Sequence, residues 1–197
     1  MWIIFDVGNV IIQADHAITH KILQGYGVPK GRAEKFYKAP EYKEFCRGEI
    51  TGKDFYSALV KKYLKFGLTY GQVVYAHNQH IYAADKNAIE IIKKLSKFDI
   101  AFLTDTNKWQ TQRERELVDI SVFSKTIFRS HETHMLKTDP GLFPYIIKKL
   151  KAKPADMLLI DDSPEKVKKA EQNGLRTICF ESPNQLEKEL KKQKLLD

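Results

Sequence analysis

The sequence predicts an α/β protein: a parallel sheet flanked by helices, interrupted after its first strand by an all-helical insertion. Three observations predict it. From Asn87 onward, short apolar runs alternate with helical stretches, and strands separated by helices imply a parallel sheet. A similar run, Trp2 to Phe5, opens the chain and ends at Asp6-Val7-Gly8-Asn9. Between these regions, from about Asp15 to Tyr82, helical patterns dominate and no strand-like alternation appears.

The elements follow in order. Trp2 to Phe5 is a buried strand running into a glycine-bearing turn. Val10-Ile11-Ile12 looks like a second short extended piece. The helical block is broken at Gly25 to Pro29, Ala39-Pro40, Gly48 and Gly67. Within it, Phe55, Leu59, Tyr63 and Phe66 recur at a three-to-four spacing, and Thr51 or Gly52 is a reasonable helix start. Ala88 to Leu95 is an amphipathic helix, and Ile100 to Leu103 is a buried strand that ends at Thr104-Asp105-Thr106-Asn107. Thr126 to Phe128 is another strand, Leu142 to Leu150 a helix, and Met157 to Ile160 a strand ending at Asp161-Asp162. Ser163 caps a helix that starts at Pro164 and closes at Gly174. A strand from Arg176 to Phe180 and a helix from Pro183 complete the chain. The expected division is a Rossmann-like core of residues 1–14 and 83–197, with residues 15–82 as the helical insertion.

Composition excludes several function classes. The 197 residues are 43% hydrophobic and 29% charged, which suits one globular α/β domain with a small inserted module. Cys46 and Cys179 are too few and too far apart for a disulfide framework or a zinc signature, so a reducing cytoplasm fits best. No apolar run approaches the roughly 18 residues a membrane span needs. The N-terminus lacks a basic leader, and no signal peptide is expected. The net charge of +8 comes from lysines scattered over helices, as in Lys148-Lys149 and Lys168-Lys169, so no nucleic-acid partner is expected. A monomer or a homodimer is equally compatible.

In an open parallel sheet, ligands bind beyond the carboxyl ends of the strands. Three predicted strands end in polar residues there: at Asp6, at Thr104 and its neighbours, and at Asp161-Asp162. Lys137 adds a cation ahead of a predicted helix. Carboxylates, a hydroxyl and an ammonium at one rim are the parts of a phosphoryl-transfer site.

These residues carry a resemblance. Phe5-Asp6-Val7-Gly8-Asn9-Val10 resembles the first motif of the haloacid dehalogenase-like hydrolases, and Leu103 to Asn107 the second. Ser130-His131-Glu132 through Lys137-Thr138-Asp139-Pro140 resembles the third motif, and Ile160 to Glu165 is similar to the fourth. The branch it most resembles is that of sugar-phosphate phosphatases with a helical cap. The resemblance implies a magnesium-dependent phosphohydrolase acting on a small phosphorylated metabolite. Asp6 would be the nucleophile, with Thr104 and Lys137 binding the transferring oxygens. Mg²⁺ would be held by Asp6, the Gly8 carbonyl and Asp162, with Asp161 close by. Gly8, Asn9, Asp105, Thr106 and Asn107 are the expected substrate-binding residues.

The sequence departs from the family pattern at five places. Gly8 stands where a second Asp usually acts as general acid and base; Asp15 or His16 are possible substitutes, although a turn and a helix start explain them more simply. Asp105 replaces Asn, His134 replaces Gly, Thr138 replaces Pro, and Lys166 replaces the Asn or Asp that follows the acidic pair. The pairs His77/His80 and His131/His134 have a metal-compatible spacing, but cap packing and the third motif explain them better. Trp109, Tyr37, Phe45, Tyr56 and Tyr63 are expected in the core, a minority of them lining a pocket. A metal-independent dehalogenase and a weak or inactive phosphate-binding protein remain the alternatives.

Overall fold

The computed structural model describes residues 1–197. Its main sheet has five strands, all parallel, in the order β5-β4-β1-β6-β7. These are β1 (Trp2–Phe5), β4 (Asp99–Thr104), β5 (Ile127–Arg129), β6 (Met157–Asp161) and β7 (Arg176–Cys179). Because β1 is central, the chain leaves it toward β4 on one side and later crosses to β6 on the other. That reversal opens a crevice at the carboxyl end of β1, the place where open α/β sheets bind ligands.

Strand alternation sorts the core into two layers. Ile3 and Phe5 face one cluster with Phe102 and Ile160. It is covered by Ile91 and Ile92 of α6 (Lys86–Lys94) and by Leu186 and Leu190 of α11 (Pro183–Lys192). Ile4, Leu103 and Leu159 face the other cluster, which is covered by Phe143 and Ile146 of α9 (Leu142–Leu150) and Ala170 of α10 (Pro164–Gln172). Burying both faces of every central strand explains the unbroken apolar runs in the sequence.

The helical block comprises α1 (His16–Gly25), α2 (Lys30–Ala33), α3 (Pro40–Cys46), α4 (Gly52–Ala58) and α5 (Tyr70–Asn78). Thr51 caps α4 through a capping box with Asp54, and the helix then widens into a π-helical turn over Leu59–Leu64. Thr69 and Gln72 form a second capping box on α5. The block gathers its own cluster around Phe36, Phe45, Phe55 and Leu59. Trp109 of α7 (Lys108–Leu117) inserts into that cluster from the core side.

The second extended piece lies further along than the sequence indicates. Val10 and Ile11 belong to a turn in which both Ile11 and Ile12 donate to the Val7 carbonyl. The strand β2 is Ile12–Ala14, and it pairs antiparallel with β3 (Ile81–Ala84). The region from 15 to 82 therefore ends in a strand rather than remaining helical throughout. Strands of three and four residues are too short for alternation to register.

Further close contacts join the block to the core. Gly48 has φ +69, and a Cβ there would lie 2.5 Å from the carbonyl oxygen of His131. His77 and His80 are both buried; Nδ2 of Asn107 meets Nε2 of His77 at 3.1 Å. Burial holds His80 down to about 4 and His77 well below the usual imidazole value.

Two predictions follow from these contacts. Gly48→Ala should destabilise the protein by about 2 kcal/mol or more, measured by urea unfolding; an unchanged midpoint would refute the close approach. His80 stays neutral in the fold while the unfolded chain protonates near pH 6.5, so acidification favours unfolding from about pH 6.5 down to about 4. The stability advantage of wild type over His80→Asn should shrink by about 2 kcal/mol between pH 7 and pH 5. A constant difference would contradict burial of a neutral ring.

Candidate active site

The crevice holds a cavity of about 410 Å³ whose lining includes Asp6, Gly8, Asn9, Thr104, Asp105 and Asp162. The helical block contributes its other wall, including His16, Tyr37 and Tyr42. The carboxyl ends of β1, β4 and β6 thus supply the acids and the hydroxyl, because parallel strands deliver the residues after them to one rim.

Asp6 and Asp161 follow each other across adjacent strands, tied by the Asp6 N–H bond to the Ile160 carbonyl at 2.9 Å. Both carboxylates are buried. Lys137 lies between them, fully buried, with Nζ 2.6 Å from Asp6 Oδ1 and 2.6 Å from Asp161 Oδ2. Burial pushes the Asp6 carboxyl up to about 7, although Lys137 pulls against it. Burial also opposes ionisation of Asp161, but Lys137 and Lys166 outweigh it and hold that group below its ordinary value. For Lys137 itself, Asp6 and Asp161 outweigh burial and keep the ammonium charged.

The donor set suits a hard divalent cation. Asp6, Asp161 and Asp162 each bring a carboxylate oxygen to within 4.8 Å of the other two. Opposed oxygens around a magnesium ion at about 2.1 Å would lie about 4.2 Å apart, so the trio is close to that spacing. An Asp6 carboxyl raised to about 7 by burial also favours a neighbouring positive charge, which would restore the anion.

The other predicted residues divide. Gly8, Asn9, Thr104 and Asp105 line the cavity. Asn9 adopts a left-handed turn at φ 53, and its side-chain oxygen accepts from the Ala14 N–H at 3.0 Å. Thr106 and Asn107 do not line the cavity. Thr106 Oγ1 donates to buried Glu114 at 3.0 Å, and Asn107 caps α7 by accepting from the N–H groups of Trp109 and Gln110. An Asn that opens a helix and a buried Thr are ordinary features of a strand-to-helix turn.

The departures from the family pattern acquire partners. His134 takes the left-handed conformation, φ 58, that favours glycine, and its Nδ1 lies 2.9 Å from the Arg47 carbonyl. Asp105 Oδ1 accepts from the Lys137 N–H at 2.9 Å, while its Oδ2 lies 3.5 Å from Lys166 Nζ. Asp15 caps α1 by accepting from the Ala17 N–H. His16 lines the cavity, its ring stacked on Tyr37 at a centroid distance of 3.6 Å. Cys46 also lines it, but burial pushes the thiol up to about 11, so it is no competing nucleophile at neutral pH. Tyr42 and His80 are wall residues that the sequence reading did not single out as pocket-lining; nothing local in the sequence marks them.

Comparison with known proteins fits this geometry. An enzyme of the haloacid dehalogenase family from Bacteroides thetaiotaomicron, solved with magnesium and inorganic phosphate, superposes with a TM-score of 0.83 at 19% identity. The match covers 94% of this chain and 98% of that one. A family hydrolase from Porphyromonas gingivalis gives 0.79 at 22% identity, over 90% of this chain and 89% of that one. At these identities the likeness concerns the fold. In sequence, the chain is 28% identical to flavin mononucleotide hydrolase 1 of Arabidopsis thaliana over 141 residues, 72% of this chain and 52% of that protein. The chain thus spans about half the length of that relative. The sequence model of the haloacid dehalogenase-like hydrolases matches residues 3–180, and the chain belongs to that family.

Proposed function

We propose that the chain is a magnesium-dependent phosphohydrolase that cleaves a small phosphate monoester through an aspartyl-phosphate on Asp6. The observation that carries this reading is the buried Asp6 carboxylate, fixed by Lys137 beside two further carboxylates at the crevice. A relative named for hydrolysing flavin mononucleotide, itself a phosphate monoester, supports the substrate class. A magnesium ion held by Asp6, Asp162 and the Gly8 carbonyl would screen the repulsion between nucleophile and phosphate.

Each residue then has a task. Lys137 holds Asp6 in one orientation, which leaves Oδ2 as the attacking atom. The Asp6 oxygen bonds to phosphorus as the bond to the leaving oxygen breaks, and water later releases orthophosphate and regenerates the carboxylate. Thr104, at the end of β4 beside the cavity, is placed to donate to a phosphoryl oxygen. The helical block forms the wall opposite these residues and serves as a cap over the organic part of the substrate. A dehalogenase is disfavoured because the acidic pair Asp161 and Asp162 would repel a departing halide. The weak or inactive reading rests on Gly8, which brings no acid, and on the departures at Asp105 and Lys166.

Two experiments bear on this. Release of phosphate from p-nitrophenyl phosphate and a panel of phosphomonoesters should require Mg²⁺, and Asp6→Asn should lower kcat/KM by about a thousandfold. Turnover that survives both EDTA and the substitution would eliminate the mechanism. A Cβ at Gly8 would meet nothing within 4 Å, so Gly8→Asp is sterically free to supply an acid. It should speed hydrolysis of alkyl phosphates by about tenfold or more, and of p-nitrophenyl phosphate far less, because only poor leaving groups need the proton. Equal effects on both substrates would mean the new carboxyl is not acting as the acid.

A further inference from the structure

Lys137 is engaged on both sides. Its ammonium is fully buried between Asp6 and Asp161, and it is absent from the cavity lining. The lysines that do line the cavity are Lys43 and Lys166. Lys43 is an exposed residue of the helical block. Lys166 stands in the first turn of α10, with its Nζ 3.9 Å from Asp6 Oδ2, the oxygen that Lys137 leaves free.

Asp105 holds Lys166 there. One of its oxygens is fixed by the Lys137 N–H, and the other lies 3.5 Å from Lys166 Nζ. The Lys166 side chain is 22% exposed, open enough to meet an arriving group and enclosed enough to be only partly screened. The local charge makes its presence consequential. Asp6, Asp105, Asp161 and Asp162 are opposed by two ammonium groups, those of Lys137 and Lys166. A phosphate dianion approaching Asp6 meets this acidic surface, and on the cavity side of Asp6 the cation facing it is Lys166.

We propose that Lys166 is a catalytic residue of this chain: the ammonium that receives the phosphoryl oxygens beside Asp6, positioned by Asp105, while Lys137 remains a buried strut between Asp6 and Asp161. The inference rests on the phosphohydrolase reading and divides the cationic work of the site between two lysines. It requires that anion binding depend on Lys166 even without a divalent metal, since the ammonium is resident.

The test is calorimetric binding of inorganic orthophosphate to the full chain, with Mg²⁺ and with EDTA, alongside p-nitrophenyl phosphate kinetics and melting temperatures. Lys166→Gln should weaken orthophosphate binding by about tenfold or more in both conditions and raise KM, while Lys166→Arg should stay within about threefold of wild type. Asp105→Asn should weaken binding by a smaller factor, since it loosens the ammonium without removing it. Unchanged affinity in Lys166→Gln, with or without a lower melting temperature, would reduce Lys166 to a counterion of Asp105 and overturn the proposal. Wild type that turns over substrate while Lys166→Gln binds and reacts normally sinks this inference alone. Wild type that neither binds orthophosphate nor turns over any ester sinks the phosphohydrolase reading with it.

Discussion

The structure depends on one buried ammonium between two buried carboxylates. Asp6 and Asp161 end neighbouring parallel strands, so the backbone pairing that builds the sheet forces their side chains together out of water. Two such anions cannot both ionise without a cation between them, and Lys137 supplies it at 2.6 Å to each. Removing one partner of a buried pair typically costs about 3–5 kcal/mol. The fold must therefore deliver Lys137 to that point reliably, although neither a helix nor a strand carries it.

It does so with a framework of polar contacts around the loop from His134 to Asp139. Asp105 takes the Lys137 N–H, and Asp139 takes the Leu136 N–H. Arg47 grips Asp139 through two bonds of 2.8 and 2.7 Å, and the Arg47 carbonyl meets His134. Arg47 belongs to the helical block, at the C-terminal end of α3. The block that walls the cavity and the loop that places the lysine are thus parts of one framework. The close approach of Gly48 to His131 and the contact of Asn107 with His77 reinforce the same seam.

Much of this was legible in the sequence, and the failures have physical causes. The helix over Leu142–Leu150 and the strand from Met157 appear where the apolar pattern places them, because their burial is decided by long one-sided or two-sided apolar faces. Thr51 is the cap expected of it, with Asp54 three residues on. Ser163 does sit at the start of α10, yet its side chain makes no cap bond; Asp161 instead accepts the Ser163 N–H at 2.9 Å. The β2–β3 pair escaped notice because it is made by residues nearly 70 positions apart in three- and four-residue strands. Of the site, the strand-end acids were readable because chain topology alone brings them to one rim. The engagement of Thr106 and Asn107 elsewhere was not, since it depends on Glu114 and His77, which the sequence does not mark as neighbours.

The same contrast applies to the departures from the family pattern. Taken singly, Asp105 is an unwelcome negative charge, Lys166 a lost metal support, and His134 a bulky residue where glycine belongs. In three dimensions Asp105 and Lys166 face each other with opposite charge, and His134 keeps the left-handed turn while gaining a partner in Arg47. Gly8 is the exception. Nothing stands within 4 Å of the Cβ it lacks, and no neighbouring substitution fills that space. At Gly8 the chain thus departs from its family pattern with no compensating contact, whereas Asp6 keeps a self-consistent setting between the ammonium groups of Lys137 and Lys166.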